Sequence, residues 1–141
     1  MLSLGCSPAL NWREVQLDTA GVQALLPCKP DHAVREVQLA GGVRSMEMLG
    51  CEAAGATFTV AVLQVAPEQA ISVKAALQAS DKASHSYYQT HGGVVVQAAI
   101  YGTPQAQSDG PSALSSQAVK TFFGSVRLMQ APAPVSARAA P

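Results

Sequence analysis

Apolar and polar residues alternate with a period of two through much of the first half of the chain, the pattern of short, half-buried strands separated by turn residues. Residues 12–17 form the first such run and end at Asp18-Thr19-Ala20-Gly21. Residues 22–26 form the second and stop at Pro27-Cys28-Lys29-Pro30-Asp31, where two prolines have no N–H to give to a ladder. In 34–39, Val37 and Leu39 share one face while Glu36 and Gln38 share the other. Gly41-Gly42 is suited to a tight hairpin leading into 43–51, and Ala54-Gly55 marks another turn. Residues 56–65 break the alternation, with Phe58, Val60 and Val62 on one face and Ala61, Leu63 and Val65 on the other. A strand apolar on both faces belongs in the interior of a sheet.

The period then changes. Pro67 suits the first turn of a helix, where its missing N–H costs nothing, and Ala70, Val73 and Leu77 recur at helical spacing towards Ser80. Residues 86–90, the turn His91-Gly92-Gly93 and residues 94–101 read as a second hairpin. A polar loop runs from Gly102-Thr103-Pro104 to Gly110-Pro111. Ser112 is placed to cap a second helix, with Leu114, Ala118 and Phe122 as its apolar stripe and Gly124 at its end. Val126-Arg127-Leu128 reads as a last strand. Strands first and helices later predict an α+β fold with an antiparallel sheet. It forms one domain over 12–129, preceded by a leader and linker over 1–11. The Pro- and Ala-rich stretch 130–141 holds too little apolar bulk to fold, so it reads as a disordered tail.

Composition narrows the function. Nine basic and nine acidic residues give zero net charge, without the basic excess of a nucleic-acid binder. There is no polybasic run to hold an anionic membrane, and no apolar run near the ~18 residues of a spanning helix. Charged residues make up 13% of the chain, against the ~25% typical of soluble domains.

Three segments carry a family likeness. Val22-Gln23-Ala24-Leu25-Leu26-Pro27-Cys28-Lys29-Pro30 resembles an opening in which an early strand ends at spaced prolines. Thr57-Phe58-Thr59-Val60-Ala61 resembles a central strand. Thr121-Phe122-Phe123-Gly124-Ser125-Val126-Arg127-Leu128 resembles a closing helix that runs into a short strand. Over residues 12–128 the chain resembles the small bacterial PsbP-like proteins, relatives in fold of the extrinsic PsbP subunit of photosystem II. Its start, Cys6-Ser7-Pro8-Ala9-Leu10-Asn11-Trp12-Arg13-Glu14, is similar to that of proteobacterial lipoproteins of unknown function with such a domain. The resemblance implies an α-β-α sandwich acting as a binding or assembly accessory, with no catalytic residue. Residues 80–86 form a shorter connection than the insert such proteins carry there.

Leu2-Ser3-Leu4-Gly5 before Cys6 looks like the end of a lipoprotein signal peptide, with Gly5 as the small residue ahead of the lipidated cysteine. Cys6 is then a lipid anchor and the chain sits in the periplasm. Ser7 favours sorting to the outer membrane. Translation beginning at Met1 would instead keep the chain in the cytoplasm. With Cys6 acylated, Cys28 and Cys51 remain as a pair. A disulfide is natural in an oxidising compartment, and two buried thiols packing as small apolar groups are the alternative.

Other chemistry is sparse. His32, His85 and His91 lie at no metal-ligand spacing, and His32 and His91 read as solvated loop and turn residues. No serine sits in G-x-S-x-G, and no pair of carboxylates stands out as an acid and base. Gly41-Gly42 and Gly92-Gly93 read as hairpin turns, not phosphate cradles. Trp12, Tyr87, Tyr88 and Tyr101 could form an exposed patch, although Trp12 fits better against the edge of the core. Met46 and Met48 share a strand face that reads as core. The expectation is therefore a non-catalytic accessory protein, tied to a membrane only through Cys6 and docking a protein partner. The alternative is a small-molecule or metal binder. No cofactor, metal or nucleic acid is called for, and an enzyme is not expected.

Overall fold

A computed structural model describes residues 10–39, 41–53, 55–102 and 116–128. The sequence expectations for Cys6, the Ser112 cap, Leu114 and the 130–141 tail lie outside these residues.

The chain forms β1 (Arg13–Leu17), β2 (Val22–Leu26), β3 (Asp31–Leu39), β4 (Gly42–Ala53) and β5 (Ala56–Gln64). Then follow α1 (Ala70–Ala79), the hairpin of β6 (His85–His91) and β7 (Val94–Gly102), α2 (Ser116–Gly124) and β8 (Arg127–Leu128). This is a mixed α+β fold, and its strand pairings are antiparallel. There are two sheets where the alternation pattern suggested one: a five-stranded sheet in the order β3-β4-β5-β7-β6 and a three-stranded sheet in the order β1-β2-β8. The prolines explain the split. Pro27 and Pro30 cannot extend a ladder between β2 and β3, so the first hairpin leaves the sheet that the next strands build. The carbonyl of Pro27 accepts instead from the N–H of Asn11 at 2.7 Å.

β5 lies at the centre of the large sheet, between β4 and β7, and both its faces are buried. Phe58, Val60 and Val62 pack with Leu26, Val96, Ile100 and Phe122 in the larger core, between the large sheet and the β1-β2 hairpin. Ala61 and Leu63 pack with Met46, Val95 and the α1 residues Ala70, Val73 and Leu77. The helical spacing of those three residues is what lays α1 on the sheet. One face of the large sheet thus receives α1. The other receives the small sheet and Phe122 of α2. Ser125 fixes the end of α2: its hydroxyl donates to the Phe122 carbonyl at 2.7 Å and accepts the Leu25 N–H at 2.9 Å.

Two ring pairs in the larger core meet edge to face, the arrangement that sets a ring's positive edge on a negative face. Phe58 stands at 5.4 Å and 82° from Phe122, and Trp12 at 6.2 Å and 85° from Phe58. Trp12 is half-buried against this core, as its place at the head of the first strand suggested. Two strand boundaries differ from the sequence reading. β3 starts at Asp31, so His32 is a strand residue whose ring pairs with Glu47 at 2.7 Å, not a loop residue. His91 closes β6 instead of entering the turn. Among the described residues no helix is long and apolar enough to cross a membrane.

Candidate binding site

Asp81 follows the last turn of α1, and the chain needs only a short connection from there to β6. One carboxylate oxygen of Asp81 accepts the backbone N–H of Ala83 at 2.8 Å, the local turn that aspartate favours. The other accepts the hydroxyls of Ser86 and of Tyr88, the latter at 2.6 Å. Tyr88 stands opposite Gln97 in the β6–β7 register. Its oxygen accepts from the Gln97 side-chain amide at 2.8 Å. Because the phenol has one proton and gives it to Asp81, its lone pair faces Gln97 and sets that amide's orientation. Gln97, only 8% exposed, breaks an otherwise apolar β7 and is satisfied by this chain of bonds.

The electrostatics follow from the same contacts. Partial burial pushes the Asp81 carboxyl up, but the bonds from Ser86, Tyr88 and Ala83 together outweigh it and hold its pKa below the usual carboxylate value. Burial, then the bond to Asp81, raise the Tyr88 phenol well above the ordinary tyrosine value. Burial, then the charge of Asp81, also raise Tyr101, against the pull of Arg35. Asp81 is therefore a fixed anion and both phenols are neutral. None of the three is poised to exchange a proton near neutral pH.

Asp81 and Gln97, the two ends of this chain of bonds, line a cavity of about 360 Å³ between the end of α1 and the large sheet. Met46, Met48 and Leu77 give it an apolar floor, with Val37 and Leu39 from β3 beside them. Arg35, Lys82, Gln97 and Tyr101 bring polar groups to it. Arg35 and Lys82 make no ion pair among the described residues. A second hollow of about 520 Å³ continues past Arg35 and Met48 to Lys29, Asp31 and Glu52. A third, of about 500 Å³, lies on the opposite face along Val34, Val43 and Glu47.

Cys28 and Cys51 are joined in a disulfide with their Cα atoms 5.8 Å apart. Cys51 is buried in the larger core and also backs the second hollow. The three histidines are not brought together: His32 lies in β3, and His85 and His91 occupy opposite ends of β6. Among the described residues no three His, Cys, Asp or Glu side chains converge as metal ligands would.

The proposed aromatic patch is divided by strand alternation. Trp12 and Tyr87 pack at the larger core, with Tyr87 5.9 Å from Phe123, while Tyr88 packs on the α1 side and Tyr101 lines the cavity there. Met46 is buried as the pattern implied, but Met48 is half-buried and floors the cavity. The sequence reading missed Asp81, Tyr88 and Gln97 as a set. The lone glutamine inside 94–101 was the visible signal, since a polar side chain in a buried strand needs a partner.

No protein-family model, curated protein or solved structure matches this chain.

Proposed function

We propose that this chain is a non-catalytic binding module that works outside the cytoplasm, is held to a membrane by lipid on Cys6, and takes a small ligand in the cavity at the end of α1. The observation that carries the ligand reading is the fixed chain Gln97–Tyr88–Asp81 standing beside a methionine floor. Apolar walls with a few immobilised polar groups are the usual make-up of a ligand site. Groups already bonded in place lose little freedom on binding. The compartment rests on the Cys28–Cys51 bridge, since such bonds persist in oxidising surroundings. The PsbP-like motifs and the Gly5-Cys6 junction support an exported accessory protein.

Docking of a protein partner is the second reading. It is favoured by β3, an edge strand of nine residues, and by Val34 and Val43, 59% and 63% exposed on the face away from α1. An open edge strand is a template for pairing with another chain.

Two experiments test the proposal. Titration with a panel of small acids, amines and neutral compounds, followed by amide shifts, should give a saturable change centred on Gln97 and Tyr101. Shifts confined to β3 with a protein partner, and none at the cavity, would favour docking instead. Expressed in a bacterium behind a lipoprotein leader, the protein should incorporate labelled palmitate, and Cys6→Ala should abolish this without lowering Tm. A soluble, unlabelled product would remove the anchor.

A further inference from the structure

We infer that the ligand of this cavity is an amphipathic carboxylate, its acid group on the Arg35 guanidinium and its apolar body on Met46 and Met48. The inference rests on the binding reading above and adds the chemical class. The charges around the cavity are unequal. Among the described residues Asp81 is the one acid lining it, and it already accepts three hydrogen bonds. Arg35 and Lys82 line it with no ion pair among the described residues. A ligand cation would have to compete with Ser86, Tyr88 and Ala83 for Asp81. A ligand anion meets free donors.

Arg35 favours a planar acid, because the guanidinium offers two parallel N–H groups that match a carboxylate. The Tyr101 phenol lines the same cavity and, kept neutral by burial, is a further donor. The opposite wall sets the rest of the molecule. Methionine side chains adapt to irregular apolar shapes, and Leu77 and Val37 extend that surface. The hollow, about 360 Å³ and open to solvent on one side, leaves room for an alkyl chain along Met46 and Met48.

The test uses decanoate, decanol and decylammonium as probes, with acetate as a head group lacking a body. Binding is read by calorimetry and by methyl shifts of Met46 and Met48. Decanoate should bind at least tenfold more tightly than decanol or decylammonium, and acetate should not displace it. Arg35 is exposed on an edge strand, so Arg35→Gln should leave the fold intact. It should weaken decanoate at least tenfold and leave decanol unchanged. If decanol binds as well as decanoate, or Arg35→Gln changes nothing, the carboxylate assignment falls while the cavity stands as a binding site. If none of the probes moves the methionine methyls, both readings fall.

Discussion

Cys28 and Cys51 are bonded across the gap between the two sheets. Cys28 lies just beyond the end of β2, in the small sheet's connection to β3, and Cys51 lies in β4 of the large sheet, opposite Phe58 of β5. The two proline-flanked residues that interrupt the ladder are thus held against the large sheet covalently. The bridge closes a loop with a separation of 23 residues. It works alongside the aromatic contacts of Trp12, Phe58 and Phe122, which bring the same two layers together.

Removing the bridge should therefore loosen the first hairpin. In the chain-entropy account a loop of this length contributes roughly 3 kcal/mol. The double variant Cys28→Ser/Cys51→Ser should lose about that much in urea unfolding, and the native protein should lose the same amount in strong reductant. Peptide mapping without reductant should recover one linked pair. Two alkylatable thiols in protein produced in an oxidising compartment would refute the bond.

Phe122 carries α2 into the larger core and is fully buried against Phe58. Phe122→Ala should cost about 3–5 kcal/mol, the range for deleting a buried aromatic ring, a large share of the marginal stability of a domain. Near-UV dichroism should fall with it, because Phe58 and Phe123 lose the ring they pack against. A loss under 1 kcal/mol in denaturant titration would show that α2 is not docked.

Much of this fold was legible because strand alternation and glycine turns act locally. The element order, the central place of β5 and the α1 stripe of Ala70, Val73 and Leu77 all follow from periodicity. The division into two sheets did not. Pro27 and Pro30 say that a ladder stops, but not that the hairpin before them will close against a strand a hundred residues later, as Gln23 does with Arg127. The cavity was hidden for the same reason. Arg35, Met48 and Gln97 come from three strands and Asp81 from the connection after α1, and only register and helix placement bring them together. The cysteines were readable as a bridge or as two buried thiols, and the structure joins them, whereas Tyr87 and Tyr88 looked alike until alternation sent them to opposite faces.

Tyr88→Phe should cost about 1–3 kcal/mol, because it leaves the buried Gln97 amide without its acceptor and takes a donor from Asp81. Adding Gln97→Met to that variant should restore part of the loss, since an apolar pair leaves nothing unsatisfied. If the double variant is no more stable than Tyr88→Phe alone, the Gln97–Tyr88 bond does not hold the β6–β7 hairpin.

Asp81 should mark the acid limb of stability. Its folded pKa is lowered from 3.8. The folded state therefore binds this proton less readily than the unfolded chain does. The contribution is fully present above the unfolded value and is lost as pH falls through the lower folded value. Asp81→Asn should flatten the dependence of unfolding free energy on pH below about 4. An unchanged slope in denaturant titrations across that range would show that the Ser86, Tyr88 and Ala83 bonds do not favour the anion.

The two glycines of the last hairpin look equivalent in sequence and do different work. Gly92 has φ +61°, with open space where a side chain would begin. Its requirement is conformational, and asparagine tolerates that region far better than most residues do. Gly93 has no such φ, but a Cβ there would overlap the carbonyl oxygen of Val65. That oxygen belongs to the residue whose N–H donates to the Gly93 carbonyl at 2.7 Å, so β5 and the β6–β7 turn meet backbone to backbone. Because the obstacle is main chain, a rotamer change cannot relieve it. Gly92→Asn should cost no more than about 1 kcal/mol. Gly93→Ala should cost more than about 2 kcal/mol, in the range where a named steric or packing cause is required. It should also raise amide exchange at Val65 and Val94, because the turn must move away from the end of β5. Equal losses in Tm for the two variants would mean that the close approach at Val65 is not what fixes this turn.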